Sequence, residues 1–178
     1  MYYSEYLEDV FMPEQFKKTI EWVKNALSCF EFDTIAFRGT SGSAIAFPLS
    51  YELGIPLIHV RKHKGHSFSM IEGNVDCSRY VIIDDIVCTG ETIQIIQQMI
   101  QNPEGFYKRR SIIPKCVGVI IYDLMSPTKS DMIKSKVKEF IPDVEVITNI
   151  SSLPGRDVLY TKEIVELVIQ RIKEHKHA

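Results

Sequence analysis

Apolar positions recur at helical spacing through residues 14–29, where Phe16, Ile20, Val23 and Leu27 share one face. The spacing predicts an amphipathic helix that leads into the main fold. Beyond it the pattern changes to short apolar runs, each followed by a longer amphipathic stretch. DTIAF at 33–37 reads as a strand, and SAIAFPLSYELG as a helix that stops at Gly54, with Pro48 near its first turns. IPLIHV at 55–60 is a second strand. Residues 61–78 are polar and basic, contain Gly65 and Gly73, and read as a long loop or hairpin. RYVIIDDIV at 79–87 is a third strand, and CTGETIQIIQQMIQN turns into a helix. KCVGVIIYDL at 115–124 and VEVITNI at 144–150 are two more strands, separated by a helix through SDMIKSKVKEFI. A last amphipathic helix is predicted over KEIVELVIQRIKEHK.

Strands that alternate with helices imply crossover connections and a parallel sheet. The expected class is therefore α/β, a parallel five-stranded sheet flanked by helices. Near-continuous Val/Ile runs such as YVIIDDIV and CVGVIIYDL suit strands covered on both faces. In such sheets ligands bind beyond the carboxyl ends of the strands, so chemistry is expected in the residues just after each one. No repeat or low-complexity linker divides the chain. A single domain over 1–178 is expected, with 1–32 and 150–178 as peripheral helices or a hood.

Composition narrows the partners. At 45% hydrophobic and 25% charged residues the chain has enough apolar surface for a core, which excludes disorder. The formal net charge is −2, whereas a general phosphate-backbone binder is strongly basic, so nucleic acid is not an expected partner. No apolar run approaches the roughly 18–20 residues that span a bilayer, and no membrane partner is expected. The start, MYYSEYLEDVF, is acidic and aromatic, unlike a targeting peptide. Cys29, Cys77, Cys88 and Cys116 are scattered, which points to reduced thiols in a cytoplasmic protein.

The strongest chemical signal is VIIDDIVCTGET at 81–92. Asp84 and Asp85 sit at the carboxyl end of a buried strand, where carboxylates without partners are costly. Capping of the next loop is one use for them. A Thr-Gly-x-Thr turn into a helix suggests another. Thr89 and Thr92 supply hydroxyls, Gly90 admits close backbone approach, and a helix start is electropositive, which together make a phosphate cradle. Acids on a diol and amides on a phosphate suit a sugar phosphate. FRGTSGSA at 37–44 is a second small-residue turn between a strand and a helix. HVRKHKGHS at 59–67 gathers Arg61, Lys62 and Lys64 with His59, His63 and His66, without the cysteine or carboxylate partners of a zinc site. No G-x-x-x-x-G-K-[ST] pattern occurs, which disfavours a nucleotidase or kinase of the P-loop kind.

VIIDDIVCTGET closely resembles the phosphoribosyl-pyrophosphate (PRPP) motif of the type I phosphoribosyltransferases: an apolar run, two acids, three variable residues, then Thr-Gly-x-Thr. Every fixed position is matched. The resemblance implies that fold, with a small hood, and the transfer of a 5-phosphoribosyl group from PRPP to a nitrogenous base. It implies that Asp84 and Asp85 hold the ribose hydroxyls and that Cys88, Thr89, Gly90, Glu91 and Thr92 wrap the 5′-phosphate. Arg38 and Gly39 become the pyrophosphate-binding dipeptide, with Thr40, Ser41 and Gly42 donating further hydrogen bonds. Arg61 and Lys62 open a basic loop that closes over pyrophosphate, with Lys64 and His66 as transition-state contacts. Mg²⁺ is implied as cofactor, bound mainly through pyrophosphate and ribose oxygens and reaching Asp84 and Asp85 only indirectly. A homodimer is implied as well.

Two departures leave the acceptor base open. Residues 1–32 lack the Ser-Gly…Ser-Pro-x-Tyr flavour of the orotate enzymes, and Cys88 stands where the hypoxanthine-guanine enzymes place an Asp. A PRPP-binding regulator or sensor without transferase activity is the alternative reading.

Overall fold

A computed structural model describes residues 8–63, 69–85, 89–102, 112–125 and 127–150. Its elements run α1 (Glu8–Phe11), α2 (Pro13–Leu27), β1 (Thr34–Arg38), α3 (Gly39–Leu53), β2 (Leu57–Val60) and β3 (Ile71–Gly73). They continue with β4 (Arg79–Asp84), α4 (Glu91–Gln101), β5 (Lys115–Met125), α5 (Pro127–Phe140) and β6 (Glu145–Ile150). One sheet of six strands has the order β3-β2-β1-β4-β5-β6. Every pairing is parallel except β2 with β3.

The five expected strands are all present. The sixth, β3, comes from the stretch read as a loop or hairpin. It is three residues long and antiparallel, and it pairs Val60 with Ile71 and Ile58 with Gly73. Ile71 is buried, and the main-chain N–H of Arg61 donates to Met70 O at 2.9 Å. A short antiparallel strand closes the edge and leaves little backbone open to pairing with another chain. The predicted helix over KEIVELVIQRIKEHK lies outside the described residues. Among the described residues, no helix is long and apolar enough to cross a membrane.

The apolar run of β4 faces two cores. Tyr80 and Ile82 point to one side, with Ile93, Ile96 and Ile100 of α4 and Ile133 and Val137 of α5. Val81 and Ile83 point to the other, with Ile20, Val23 and Leu27 of α2 and Ile45 and Leu49 of α3. Burial on both faces is why the sequence shows no alternation there. Each fully buried Ile or Leu stabilises by roughly 1.5–3 kcal/mol, so this double layer fixes where β4 ends.

The helix α3 begins at Gly39, four residues sooner than its apolar pattern predicts. Gly39 takes a left-handed φ of 74°, which turns the chain directly from β1 into helix. Thr40, Ser41 and Gly42 therefore form the first turn of a helix rather than a free loop. Pro48 consequently lies inside α3, not near its start. Gly54, at φ 66°, ends the helix as expected.

Gly42 is where α3 meets the sheet. A Cβ there would stand 2.9 Å from Phe37 Cβ and 3.1 Å from Ile83 O. In an exposed helix Gly→Ala gains about 1 kcal/mol. Here overpacking costs about 1–3 kcal/mol and outweighs that gain. The Gly42→Ala protein is expected to melt several degrees below the wild type in a thermal scan; an unchanged or higher midpoint would contradict this packing.

Candidate active site

The first and fourth strands are neighbours, but their chains leave the sheet in opposite directions. After β1 the chain enters α3 on the face packed with α2. After β4 it enters α4 on the other face. The gap between diverging connections at the carboxyl ends of adjacent strands is where an open parallel sheet forms a crevice. Two of the three sequence signals meet here, because Arg38 ends β1 and Asp84 ends β4.

Asp84 and Asp85 are 4% and 6% exposed. The Asp85 main-chain N–H donates to Asp84 Oδ1 at 3.1 Å, and the Asp123 N–H donates to Asp85 O at 3.1 Å. Burial, reinforced by the charge of Asp85, pushes the Asp84 carboxyl well above the usual carboxylate range, and Lys62 opposes that shift. The raised pKa reflects two acids held together in a buried place. Like charges held this close are costly and point to a ligand that donates hydrogen bonds or brings positive charge.

Both helices that flank the acids start without a side-chain cap from the preceding residue. The N–H groups of a helix's first turn have no intrahelical partner, and the helix dipole makes that end electropositive. At α4 the N-cap is Gly90 with φ 80°, and Thr89 Oγ1 accepts from the Glu91 N–H at 3.3 Å. A Cβ on Gly90 would fall 2.5 Å from the Phe140 ring of α5. Only glycine allows this turn and this close packing together. Phe140 itself carries Lys136 Nζ 5.7 Å from its ring centroid.

At α3 the aliphatic stem of Lys62 lies across Gly39. A Cβ on residue 39 would stand 2.7 Å from Lys62 Cε and 3.1 Å from its Nζ. Lys62 therefore crosses from the end of β2 to the start of α3, toward the acids. Arg38 Nε is buried and has no hydrogen-bond partner among the described residues. Arg61 is differently placed: its Nη1 pairs with Glu72 Oε1 at 2.6 Å and its Nε donates to His63 O at 3.2 Å. Glu72, on β3, fixes Arg61 at the root of the basic segment.

The adjacent ends of β1 and β4 thus bring Arg38, the first turn of α3 (Gly39, Thr40, Ser41, Gly42) and Lys62 to the end of the sheet that carries Asp84 and Asp85, while Thr89, Gly90, Glu91 and Thr92 lie at the start of α4. Lys64, His66 and Cys88 lie outside the described residues. Tyr122 is a component that sequence reasoning missed. It is buried on β5, and its hydroxyl donates to Ser41 O at 3.0 Å. In the sequence it is one more apolar position in a strand, and nothing marks it as polar in function. No group of three or more His, Cys, Asp or Glu side chains that could cage a metal occurs among the described residues. The two adjacent acids instead fit a cation that brings its other oxygens from a ligand.

No known family model matches the chain. Part of it is similar to the orotate phosphoribosyltransferase of Sinorhizobium medicae, at 31% identity over 109 residues, or 60% of this chain and 44% of that protein. It is likewise similar to the adenine phosphoribosyltransferase of Fervidobacterium nodosum, at 27% identity over 52% of this chain and 65% of that one. The chain thus spans less than two thirds of the length of these relatives. The orotate phosphoribosyltransferase of Mycobacterium tuberculosis H37Rv, solved in complex with PRPP, shares its fold. The TM-score is 0.58 at 13% identity, covering 83% of this chain and 80% of that one.

Proposed function

We propose that this chain, a relative of the phosphoribosyltransferases in sequence and in fold, transfers a 5-phosphoribosyl group from PRPP to a nitrogenous base and releases pyrophosphate. One observation carries the reading: two helix starts, neither capped by the side chain of its own N-cap residue, flank a buried acid pair at the point where the sheet's connections diverge. That spacing offers two anion sites with a diol site between them, which is the charge pattern of PRPP. The partial likeness to orotate and adenine phosphoribosyltransferases supports it.

In this reading Asp84 and Asp85 accept hydrogen bonds from the ribose hydroxyls. Thr89, Gly90, Glu91 and Thr92, with Cys88, surround the 5′-phosphate. The first turn of α3, Gly39–Gly42, receives pyrophosphate through its N–H groups. Arg38 and Lys62 add positive charge there, joined by Lys64, with His66 alongside. Arg61, held by Glu72, orients the start of that basic segment. The C1–oxygen bond breaks with its electron pair going to pyrophosphate, and a base nitrogen forms the new bond to C1. The carbon is cation-like as this happens. The protein's work is therefore to position the two reactants and stabilise the leaving charge. Mg²⁺, when bound with PRPP, supplies further charge neutralisation on the pyrophosphate oxygens. A homodimeric assembly and a cytoplasmic setting also belong to this reading; the family resemblance suggests the first and the scattered cysteines the second.

Calorimetric titration tests the site. PRPP with Mg²⁺ is expected to bind more tightly than either ribose 5-phosphate or pyrophosphate, because it alone spans both helix starts. Equal affinity for PRPP and one of its halves would contradict the two-anion arrangement.

A further inference from the structure

Tyr122 crosses the sheet in an unusual way. It belongs to β5, yet its hydroxyl reaches past β4 to Ser41 in the first turn of α3, 81 positions away in sequence. Its own backbone is held from both sides. Asn149 Nδ2, from β6, donates to Tyr122 O at 3.0 Å. The N–H of the next residue, Asp123, donates to Asp85 O. The β5–β6 register shifts between Ile121 and Met125, so the Asn149 side chain serves this stretch where the regular ladder is interrupted. Burial, with the charges of Asp85, Asp84 and Asp123, pushes the phenol's ionisation upward, so it stays a donor at any physiological pH.

We propose that Tyr122 is a positioning residue: its hydroxyl sets the first turn of α3 relative to the acid pair, and so tunes the site for pyrophosphate without touching the ligand. The proposal rests on the PRPP reading of the crevice. Its physical basis is the arrangement of supports. Gly42 already brings α3 within contact of Ile83 O, which fixes how close the turn lies. That contact does not fix how the turn is rotated. A directional hydrogen bond to Ser41 O does, and it comes from the strand that also holds Asp85 in place. The start of α4 has a separate support, the Phe140 ring behind Gly90. The two anion sites are therefore positioned by different residues, and removing one support should affect one site.

The test is Tyr122→Phe, which keeps the ring and the packing and removes only the oxygen. Two readouts are taken on the full chain. Hydrogen exchange without ligand should speed up at the first helix-bonded amides of α3, residues 43–46, and stay unchanged at those of α4, residues 94–97. In calorimetric titrations, affinity for pyrophosphate and for PRPP with Mg²⁺ should fall about three- to tenfold, the worth of one hydrogen bond. Affinity for ribose 5-phosphate should stay within twofold. Unchanged exchange at 43–46, or equal losses for ribose 5-phosphate and pyrophosphate, would overturn the proposal. If the wild type bound none of the three ligands, the PRPP reading would fall, and the exchange result alone would decide whether Tyr122 sets the turn.

Discussion

Replacing Asp84 and Asp85 together with asparagine is expected to weaken PRPP binding by about 10²–10⁴-fold and, in the same protein, to raise the stability of the fold. The first effect follows from hydrogen bonds to charged groups, worth about 1.5–3 kcal/mol each, where 1.4 kcal/mol is a factor of ten. The second follows from the site's electrostatics. Asp84 is buried beside Asp85, and burial first, then its neighbour's charge, raises its pKa. A carboxyl whose pKa is raised on folding binds more protons in the native state than in the unfolded state. Stability of the ligand-free protein then falls as pH rises from the ordinary Asp value, about 3.9, through the raised one. Asparagine keeps the shape and an acceptor for the Asp85 N–H, and it carries no charge. The wild-type melting temperature should therefore drop between pH 5 and pH 8 by more than that of the double variant. Parallel melting profiles, or unchanged PRPP affinity, would contradict the assignment.

Lys64→Ala is expected to lower turnover by about 10²–10³-fold while leaving PRPP affinity within a few-fold. Removing one electrostatic contact to developing charge typically costs that much in rate, whereas a ground-state contact appears mainly as weaker binding. The placement of the basic segment's root supports this expectation. Val60 pairs with Arg38, and adjacent strands lie about 4.8 Å apart, so the chain leaves β2 beside the start of α3. Lys62 already crosses Gly39 there, and Arg61 is anchored by Glu72. Steady-state kinetics combined with titration separate the two effects. Intact turnover would remove Lys64 from the transition state, and a fall in affinity matching the fall in rate would make it a binding residue.

The parts of this site that could be read in the sequence were those encoded locally. The two-sided apolar run of β4 ends at Asp84, and the turn chemistry of Thr89–Thr92 follows within a few residues. Both depend on neighbours in the chain, so pattern and spacing reveal them. The first turn of α3 is hidden in the sequence because Gly, Ser and Thr signal a loop unless a left-handed glycine feeds them straight into a helix. The edge strand β3 is too short to show alternation. Contacts that join distant segments left no local mark at all. Tyr122 looks like core because its ring is core, and its hydroxyl's partner lies on another element. Lys62 over Gly39 and Arg61 with Glu72 likewise arise only when β2 is laid between β1 and β3.

The most direct measurement of the central claim is product formation from PRPP and Mg²⁺ with orotate, uracil, adenine, guanine, hypoxanthine and xanthine supplied in turn. At least one base is expected to give pyrophosphate and a nucleoside 5′-monophosphate in equal amounts, with neither formed by the Asp84→Asn, Asp85→Asn protein. Tight PRPP binding with no nucleotide from any of the six would contradict transfer to these bases and favour a PRPP sensor.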